Sequence, residues 1–491
     1  MKTGLLFLSL LFSLFMPALS SAKRIHLRPS ADRYFAAASP DEKYAFLRAM
    51  PKGADLDVEI YGSAYAETIM ARAAKRGDCL DKSMTLTAAP CTETQTQARQ
   101  LLSDHELYRA AMDACSFPVS LGTDRDRFFK ISRQFEQAGR GTEGEILARL
   151  ASRAAKAHVL YLEVEVEPAD GAGALGKRLG WDGNFQNTLL NLENNGIANN
   201  AKTATQEVLR YESEKNMRLK CGTPDADPGC KVAIGFLYGV ERTAMPGIVF
   251  AKMATGIHLA DTPHSGFSGI LLKGPEDEST QRFNLHMKML DFFKSIHPGA
   301  PVAVNAGELN TELATPEDLS FHVSEAVMLG HATRIGGGSD IVHEVEDLPK
   351  KLAKMRTLID VCPSRIHAVL GENNDPLRLY MKYGVPVALS SCDAGILRSE
   401  LPAEYLKASL DNNLTYGELK RIVRTSLEQS FLPGKGLWIN NGKFIPVRQC
   451  QRDAMVGRML TSFCQDYLNA NRKAKLEWQL EAEFKAFERR Y

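Results

Sequence analysis

Residues 302–337 read VAVNAGELNTELATPEDLSFHVSEAVMLGHATRIGG: an apolar run at Val302–Asn305, a helix-patterned stretch PEDLSFHVSEAVMLG, and a second short run at Thr333–Gly336. A strand, a helix and a strand in that order imply a parallel pair joined by a right-handed crossover. Working outward, the same unit recurs. Apolar runs lie at Ala54–Ile60, Val159–Val166, Val232–Leu237, Gly269–Leu272, Leu358–Cys362 and Val385–Ser390, and helical segments such as FNLHMKMLDFFKSI separate most of them. Eight runs predict an α/β protein with a closed (β/α)₈ TIM-type barrel, with an open doubly wound sheet as the alternative.

The ends of the chain frame this unit. Residues 23 to about 50 and about 64 to 157 read as helical, with apolar residues three and four apart in YFAAASPDEKYAFLRAM, AYAETIMARAAKRG, LLSDHELYRAAMDAC and TEGEILARLASRAAKA. The division expected is 23–157 as an N-terminal helical region holding the first strand, 158–440 as the rest of the barrel and 441–491 as a helical extension. In that extension KLEWQLEAEFKAFERRY sets Leu476, Leu480, Phe484 and Phe487 on one face, a docking face. Residues 1–22 have the form of a signal peptide: Lys2, a twelve-residue apolar run from Leu5 to Met16, and small residues Ser20-Ser21-Ala22. The protein is expected to be exported, periplasmic or secreted, and the run is too short to cross a bilayer.

The chain has 491 residues, 44% of them apolar and 24% charged, the balance of a globular protein with a full core. Sixty basic against fifty-nine acidic residues argue against nucleic-acid binding and against a polybasic membrane surface. Nine cysteines suit an oxidising compartment. Cys221 with Cys230, and Cys450 with Cys464, are the pairs that spacing favours, and an odd total leaves one thiol unpaired or paired between molecules.

In a barrel the chemistry sits at the C-terminal ends of the strands. Those ends carry Asp57, Glu59, Glu163, Glu165, Lys273, Asn305, Glu308, Gly337, Cys362, Cys392 and Asp393, an acidic set without a histidine. Asp57 and Glu59 are two apart on one strand and share a side. With Glu308 and Asp393 they crowd carboxylates together, which protonation, internal pairing with Arg365 or Lys273, or a cation would relieve. A hard ion such as Ca²⁺ or Mg²⁺ would suit such oxygens. Cys392 reads as a buried structural thiol or a disulfide partner of Cys362 rather than a nucleophile, because a reactive thiol needs a base or a positive environment and this neighbourhood is acidic. Gly171–Gly176 fits GxGxxG but lacks a supporting βαβ unit, and is expected to form a loop over the barrel mouth. His258 and His264 are read as surface or helix-end residues.

These motifs resemble the adenosine deaminase family, in particular its exported, growth-factor-related branch. MPKGADL at 50–56 and YGSAYAE at 61–67 are similar to the family's first strand and the following turn and helix. NAGEL at 305–309 is similar to the HAGE motif, and GHATRIGGG at 330–338 to the RIGHG region. CPS at 362–364, DPLRLYMKYGVPVALSSCDAG at 375–395 and SLEQSFLPG at 426–434 resemble the segments that follow, so the likeness runs from about 30 to 440. The resemblance implies a (β/α)₈ barrel, a purine-nucleoside substrate class and one catalytic zinc.

It also implies that the zinc centre is degenerate. The HxH pair reads Asp57 and Glu59, the HAGE histidine is Asn305, and the metal-binding aspartate is Cys392. Gly337 stands at the histidine that serves the attacking water. Glu308, the family's proton donor to the purine ring, and Asp393 are retained, and Tyr61 occupies a substrate-contacting position. Catalytic zinc needs about three protein ligands and lowers the pKa of its water to about 7, and this set supplies neither the ligands nor the base. The expectation is a non-deaminating pseudoenzyme that binds a purine nucleoside or related small molecule through Glu308, Asp393, Tyr61 and Gly337, with zinc not expected. Two alternatives stand beside it. One is an active hydrolase or deaminase using a non-standard acidic metal site, and the other is a structural or interaction protein whose helical N-terminal region forms a homodimer.

Overall fold

The computed structural model describes residues 30–277, 282–371, 375–440, 442–453 and 460–491. The expected signal peptide lies outside the described residues.

Eight parallel strands form one sheet in sequence order: β1 (Lys52–Glu59), β2 (Val159–Val166), β3 (Ala233–Glu241), β4 (Phe267–Lys273), β5 (Val302–Ala306), β6 (Arg334–Gly337), β7 (Leu358–Val361) and β8 (Val387–Leu389). Each expected run holds one of them. Val58 bridges Cys392 just past β8, with Cys392 N–H donating to the Asp57 carbonyl at 2.9 Å, and this contact brings the two edges together as a (β/α)₈ barrel. The strands are apolar on both sides because helices cover the outside and side chains fill the inside. Val159, Tyr161, Leu162 and Val164 are all buried, for example.

The first strand is held from below. Lys52 is fully buried, and its ammonium donates to the carbonyls of Leu47, Met50 (2.9 Å) and Ala157 (3.2 Å). Helices α1 (Ala31–Ala37) and α2 (Pro40–Ala49) pack with the C-terminal helix Arg472–Glu488 at that end. Phe46 lies 5.2 Å from Phe35, 4.8 Å from Phe487 and 5.3 Å from Tyr416, ring centre to ring centre. Leu480, Phe484 and Phe487 are buried, so the face read from the sequence does dock. A small second core joins Leu437, Trp438, Val447, Leu468 and the Cys450–Cys464 disulfide.

Helices α3 (Ala66–Arg76), α4 (His105–Ala114), α5 (Arg125–Gly139) and α6 (Glu143–Lys156) follow β1, as the helical reading of this region predicts. One part departs from it. Residues 79–97 form a three-stranded antiparallel patch of two-residue strands, closed by a Cys79–Cys91 disulfide that spacing did not single out. Such short strands carry no periodicity to read. Between β2 and β3 lie α7 (Ala172–Leu179), α8 (Phe185–Asn194) and α9 (Ile197–Arg218). The GxGxxG stretch is therefore helical rather than a loop over the mouth. A Cβ on Gly176 would sit 2.2 Å from the Gly247 carbonyl oxygen at the start of α10 (Pro246–Ala260), so the glycine serves close helix packing.

Cys221–Cys230 and Cys450–Cys464 pair as spacing favours, Cys362 joins Cys392, and Cys115 is left as a buried free thiol. His258 stands on α10 with its ring 5.7 Å from that of His297, and His264 lies in the turn before β4. Among the described residues no helix is long and apolar enough to cross a membrane.

Candidate functional site

The barrel mouth gathers its charges into two ion-paired groups. Lys273, at the end of β4, reaches three carboxylates: Glu165 at 3.1 Å, Glu59 at 3.3 Å and Glu167 at 3.3 Å. Glu167 also receives Lys252 of α10 at 2.5 Å. The spacing explains the set, since Glu163, Glu165 and Glu167 alternate along β2 and its extension while Lys273 ends a strand two places away. Arg365, on the helix Pro363–Leu370, contacts Glu308 at 3.2 Å and Asp393 at 3.9 Å. Of the ways to relieve crowded carboxylates, internal pairing through both expected partners is present.

The carboxyls divide accordingly. Burial, only partly offset by Arg365, raises Asp393 to about 7 and Asp57 to about 6, and raises Glu308 as well. Burial and then the charge of Glu59 hold Glu165 far above the carboxylate range. Burial is the largest single influence on Glu59 and Glu167, but Lys273 together with Arg365 and a hydrogen bond to Glu165 at Glu59, and together with Lys252 at Glu167, outweighs it and both fall, Glu167 to about 2. Lys273 is correspondingly raised by Glu165, Glu59 and Glu167, against its burial.

Backbone supports fix the Glu308 turn. Glu276 accepts from Gly307 N–H at 3.1 Å and Glu308 N–H at 2.6 Å, and lies 3.6 Å from the fully buried Arg242. Arg242 in turn donates to the carbonyls of Leu272 (3.1 Å) and Asn305. Gly337 has φ +94°, and a Cβ there would meet Glu308 Cγ at 2.6 Å, so this glycine makes room for the Glu308 side chain. Gly62 does the same for Asp393, whose Oδ1 would lie 2.1 Å from an added Cβ. Neither support is visible in the sequence, because Glu276, Arg242 and Gly62 carry no local pattern.

The remaining candidate residues have other surroundings. Tyr61 donates its hydroxyl to Glu143 Oε1 at 2.8 Å and packs under Gly139, between α5 and α6. Asn305 is buried, with neither amide atom hydrogen-bonded. Cys392 is joined to Cys362, and its sulfur lies 3.3 Å from Asp57 Oδ2.

Helix α5 covers the mouth, where the sequence reading had placed the GxGxxG segment. Phe128, Phe129, Ser132, Arg133 and Glu136 of α5 wall a cleft of about 240 Å³ whose floor includes Glu59, Glu241, Lys273, Arg365 and Asp393. Arg125 pairs with Asp277 and Asp124 N–H donates to the Ala368 carbonyl at 3.1 Å, which ties the start of α5 to the barrel loops. An amphipathic helix that caps a mouth has the same pattern as one that packs outside, so its role was not legible. The volume lies just under the ~300–1,000 Å³ usual for ligand pockets, and it combines aromatic walls with a charged floor.

Residues 251–437, which carry strands β4 to β8, match the family model for adenosine deaminase. Over that stretch the chain is similar to the adenosine deaminase family. An adenine deaminase of Rhizobium leguminosarum bv. trifolii is 34% identical over 117 residues, 23% of this chain and 36% of the relative. An adenosine deaminase of Shewanella loihica is 31% identical over 146 residues, 29% of this chain and 41% of the relative. The aligned parts thus span about two fifths of the length of these curated relatives. The crystal structure of an adenine deaminase from Arthrobacter aurescens superposes with a TM-score of 0.52 at 16% identity, over 78% of this chain and 94% of that one, a likeness of fold. The deaminase match thus falls on the half of the barrel that contributes Lys273, Asn305, Glu308, Arg365, Cys392 and Asp393.

Proposed function

We propose that this chain is an exported, non-deaminating member of the adenosine deaminase family that binds a purine nucleoside or a related small molecule in the cleft under α5. The observation that carries the reading is the state of the four residues matched to the family's zinc ligands. Cys392 is bonded to Cys362, Glu59 is paired with Lys273, and Asn305 offers a carboxamide, which leaves Asp57 alone. These residues do not fit a zinc ion in the disulfide-bonded chain, which lacks the roughly three nitrogen, oxygen or thiolate ligands that zinc takes. Gly337 has no side chain to accept a proton from an attacking water. No step of a metal-assisted deamination is therefore assigned to this chain.

Binding remains well supplied. Phe129, partly exposed on the cleft wall and backed by the buried Phe128, offers an aromatic surface to a flat heterocycle. Asp393 and Arg365 line the cleft and add polar contacts, and Arg365 also holds Glu308 at 3.2 Å beside it. Four disulfides among the described residues support an oxidising compartment.

The test uses the mature protein with adenosine, zinc-replete, and follows inosine by chromatography. No inosine above a Glu308→Gln control is expected, while adenosine raises the melting temperature and Asp393→Asn weakens that shift. A ligand at one hundred times its Kd stabilises by about 2.7 kcal/mol. Inosine above the control refutes the loss of chemistry, and an unshifted melting curve refutes the nucleoside pocket.

A further inference from the structure

A second groove lies at the far end of the barrel from the mouth, under the N-terminal ends of β7 and β8. Its volume is about 470 Å³, larger than the cleft under α5 and within the ~300–1,000 Å³ usual for ligand pockets. Arg356 stands just before β7, and Gly384, Val385 and Pro386 lead into β8. The other walls come from the helices Leu377–Tyr383 and Tyr416–Glu428 and from Phe444, beside the antiparallel strands Trp438–Asn440 and Ile445–Pro446. Four cations line the groove, Arg356, Arg378, Lys382 and Arg421, against one carboxylate, Glu418. In a chain of sixty basic and fifty-nine acidic residues, that imbalance belongs to this place in the fold and not to the composition.

The carboxylate is already engaged. Arg378 donates to Glu418 Oε1 at 2.6 Å and to the carbonyls of Asn412 and Asn413, each at 2.7 Å. Glu418 Oε2 accepts from the N–H of Thr415 at 2.8 Å and from its hydroxyl at 2.9 Å. Among the described residues, Arg356, Lys382 and Arg421 have no ion-pair partner, so three cations share one groove without a counter-charge. Met381, Val385, Val387 and Ile422 make the rest of the wall apolar. The Phe444 ring is held edge-on by Trp438 at 5.5 Å and backed by the Arg424 guanidinium at 5.2 Å. Arg424 is itself paired with Glu481 at 2.5 Å, so it fixes the ring and adds no free charge.

We propose that this groove binds one small phosphate monoester with a flat apolar body. A monoester carries close to two negative charges at neutral pH and three acceptor oxygens. Those match three unpaired cations, two of them guanidinium forks that suit phosphate geometry. A single carboxylate would answer only one of the three charges. A nucleic-acid strand is tracked by an extended basic groove, not by a pocket that holds one small molecule. The groove shares no lining residue with the cleft under α5, so it stands apart from nucleoside binding.

Equilibrium dialysis of the disulfide-bonded chain against phenyl phosphate, in a phosphate-free buffer, tests this. One bound ligand per chain is expected, displaced more weakly by inorganic phosphate. Arg356→Ala and Arg421→Ala, both at exposed positions, should each weaken binding about tenfold or more while the urea midpoint stays put. Arg421→Lys should recover part of the loss, and Phe444→Leu should narrow the preference for phenyl phosphate over inorganic phosphate. Arg133→Ala, on the α5 wall, should leave binding as it is. No bound phenyl phosphate overturns the proposal, as does an affinity kept by Arg356→Ala/Arg421→Ala or lost in Arg133→Ala. Vesicles of phosphatidylcholine containing phosphatidic acid, whose headgroup is also a monoester, should not retain the chain. Retention that disappears in Arg421→Ala would assign the groove to a lipid surface and overturn the small-ligand reading. Failure of nucleoside binding would leave all these readouts unchanged, so the two ideas fail separately.

Discussion

Replacing Arg334 tests how the barrel centre is held. Arg334 and Glu163 are a buried pair, 2% and 0% exposed, with a guanidinium nitrogen 2.6 Å from Glu163 Oε2. The same guanidinium donates to the Leu56 carbonyl at 2.9 Å and lies 4.0 Å from the centre of the Phe431 ring. Glu163 also accepts from Phe431 N–H at 2.5 Å. One contact therefore pins β1, β2, β6 and the loop after the helix Tyr416–Glu428, one layer beneath Asp57. Removing one partner of such a pair strands the other charge in the core and costs about 3–5 kcal/mol, whereas replacing both with apolar groups is often near neutral.

Arg334→Met and Glu163→Leu should each lose about 3–5 kcal/mol, the second leaving Phe431 N–H unbonded as well. The double variant should lose only about 1–3 kcal/mol, the cost of that N–H and of the Leu56 carbonyl. The coupling energy is then about 3 kcal/mol or more, at the upper end for contacting residues. Urea denaturation with the disulfides intact measures it, from midpoints and a shared slope. A double variant as unstable as the sum of the singles, or an Arg334→Met loss under about 1 kcal/mol, refutes the argument that a stranded charge sets the cost.

Three further perturbations probe other layers. Burial raises Glu404 from 4.5 to about 7, with Ser364 N–H donating to it at 2.9 Å. Its contribution is therefore complete below pH 4.5 and is lost as pH rises toward 7, by about 3 kcal/mol, so Glu404→Gln should flatten the difference in urea midpoints across that window. Gly176→Ala places a methyl group 2.2 Å from the Gly247 carbonyl oxygen and 2.8 Å from Ala251 Cβ, and should cost about 1–3 kcal/mol by thermal or urea unfolding. Phe484→Ala, at a fully buried position where the terminal helix docks, should cost about 3–5 kcal/mol by the same measurement.

The barrel was legible because a parallel strand covered on both faces must be apolar along its whole length, and eight such runs survive in the sequence. Lys273 and Arg365 were legible as partners for the carboxylates because unpaired charge in a crowded mouth has few other remedies. What stayed hidden depends on contacts between distant segments. Gly337 reads in isolation as a missing functional group, yet its positive φ and the Glu308 methylene against it make it the condition for that side chain's position. Glu167 extends the alternation of Glu163 and Glu165 by one step and could have been found by following the period of two past the apolar run. Helix α5 could not, since its buried Phe128, Ile131 and Phe135 look like any core-facing stripe.

The charge of the mouth bears on which ligand it suits. Glu59 and Glu167 are lowered and stand against Lys273 and Lys252, so that half is balanced. In the other half, Arg365 faces Glu308, Asp393 and Asp57, all three raised by burial, with Asp57 at about 6 and Asp393 at about 7. Near neutral pH, Asp57 and Asp393 titrate beside Arg365, so the charge of this pair is largely offset by the guanidinium. A phosphate would then find only Arg133, on the α5 wall, outside an ion pair among the cations that line the cleft, because Arg365 and Lys273 are both engaged. An uncharged nucleoside meets only hydrogen-bonding groups and aromatic walls. Under the proposed function, adenosine should therefore raise the melting temperature more than adenosine monophosphate at equal concentration, in an Arg421→Ala background that disables the groove at the far end of the barrel. A larger shift with the monophosphate that survives Arg133→Ala would mean that one of the two ion-paired groups opens on binding, and would overturn the claim that internal pairing governs the mouth.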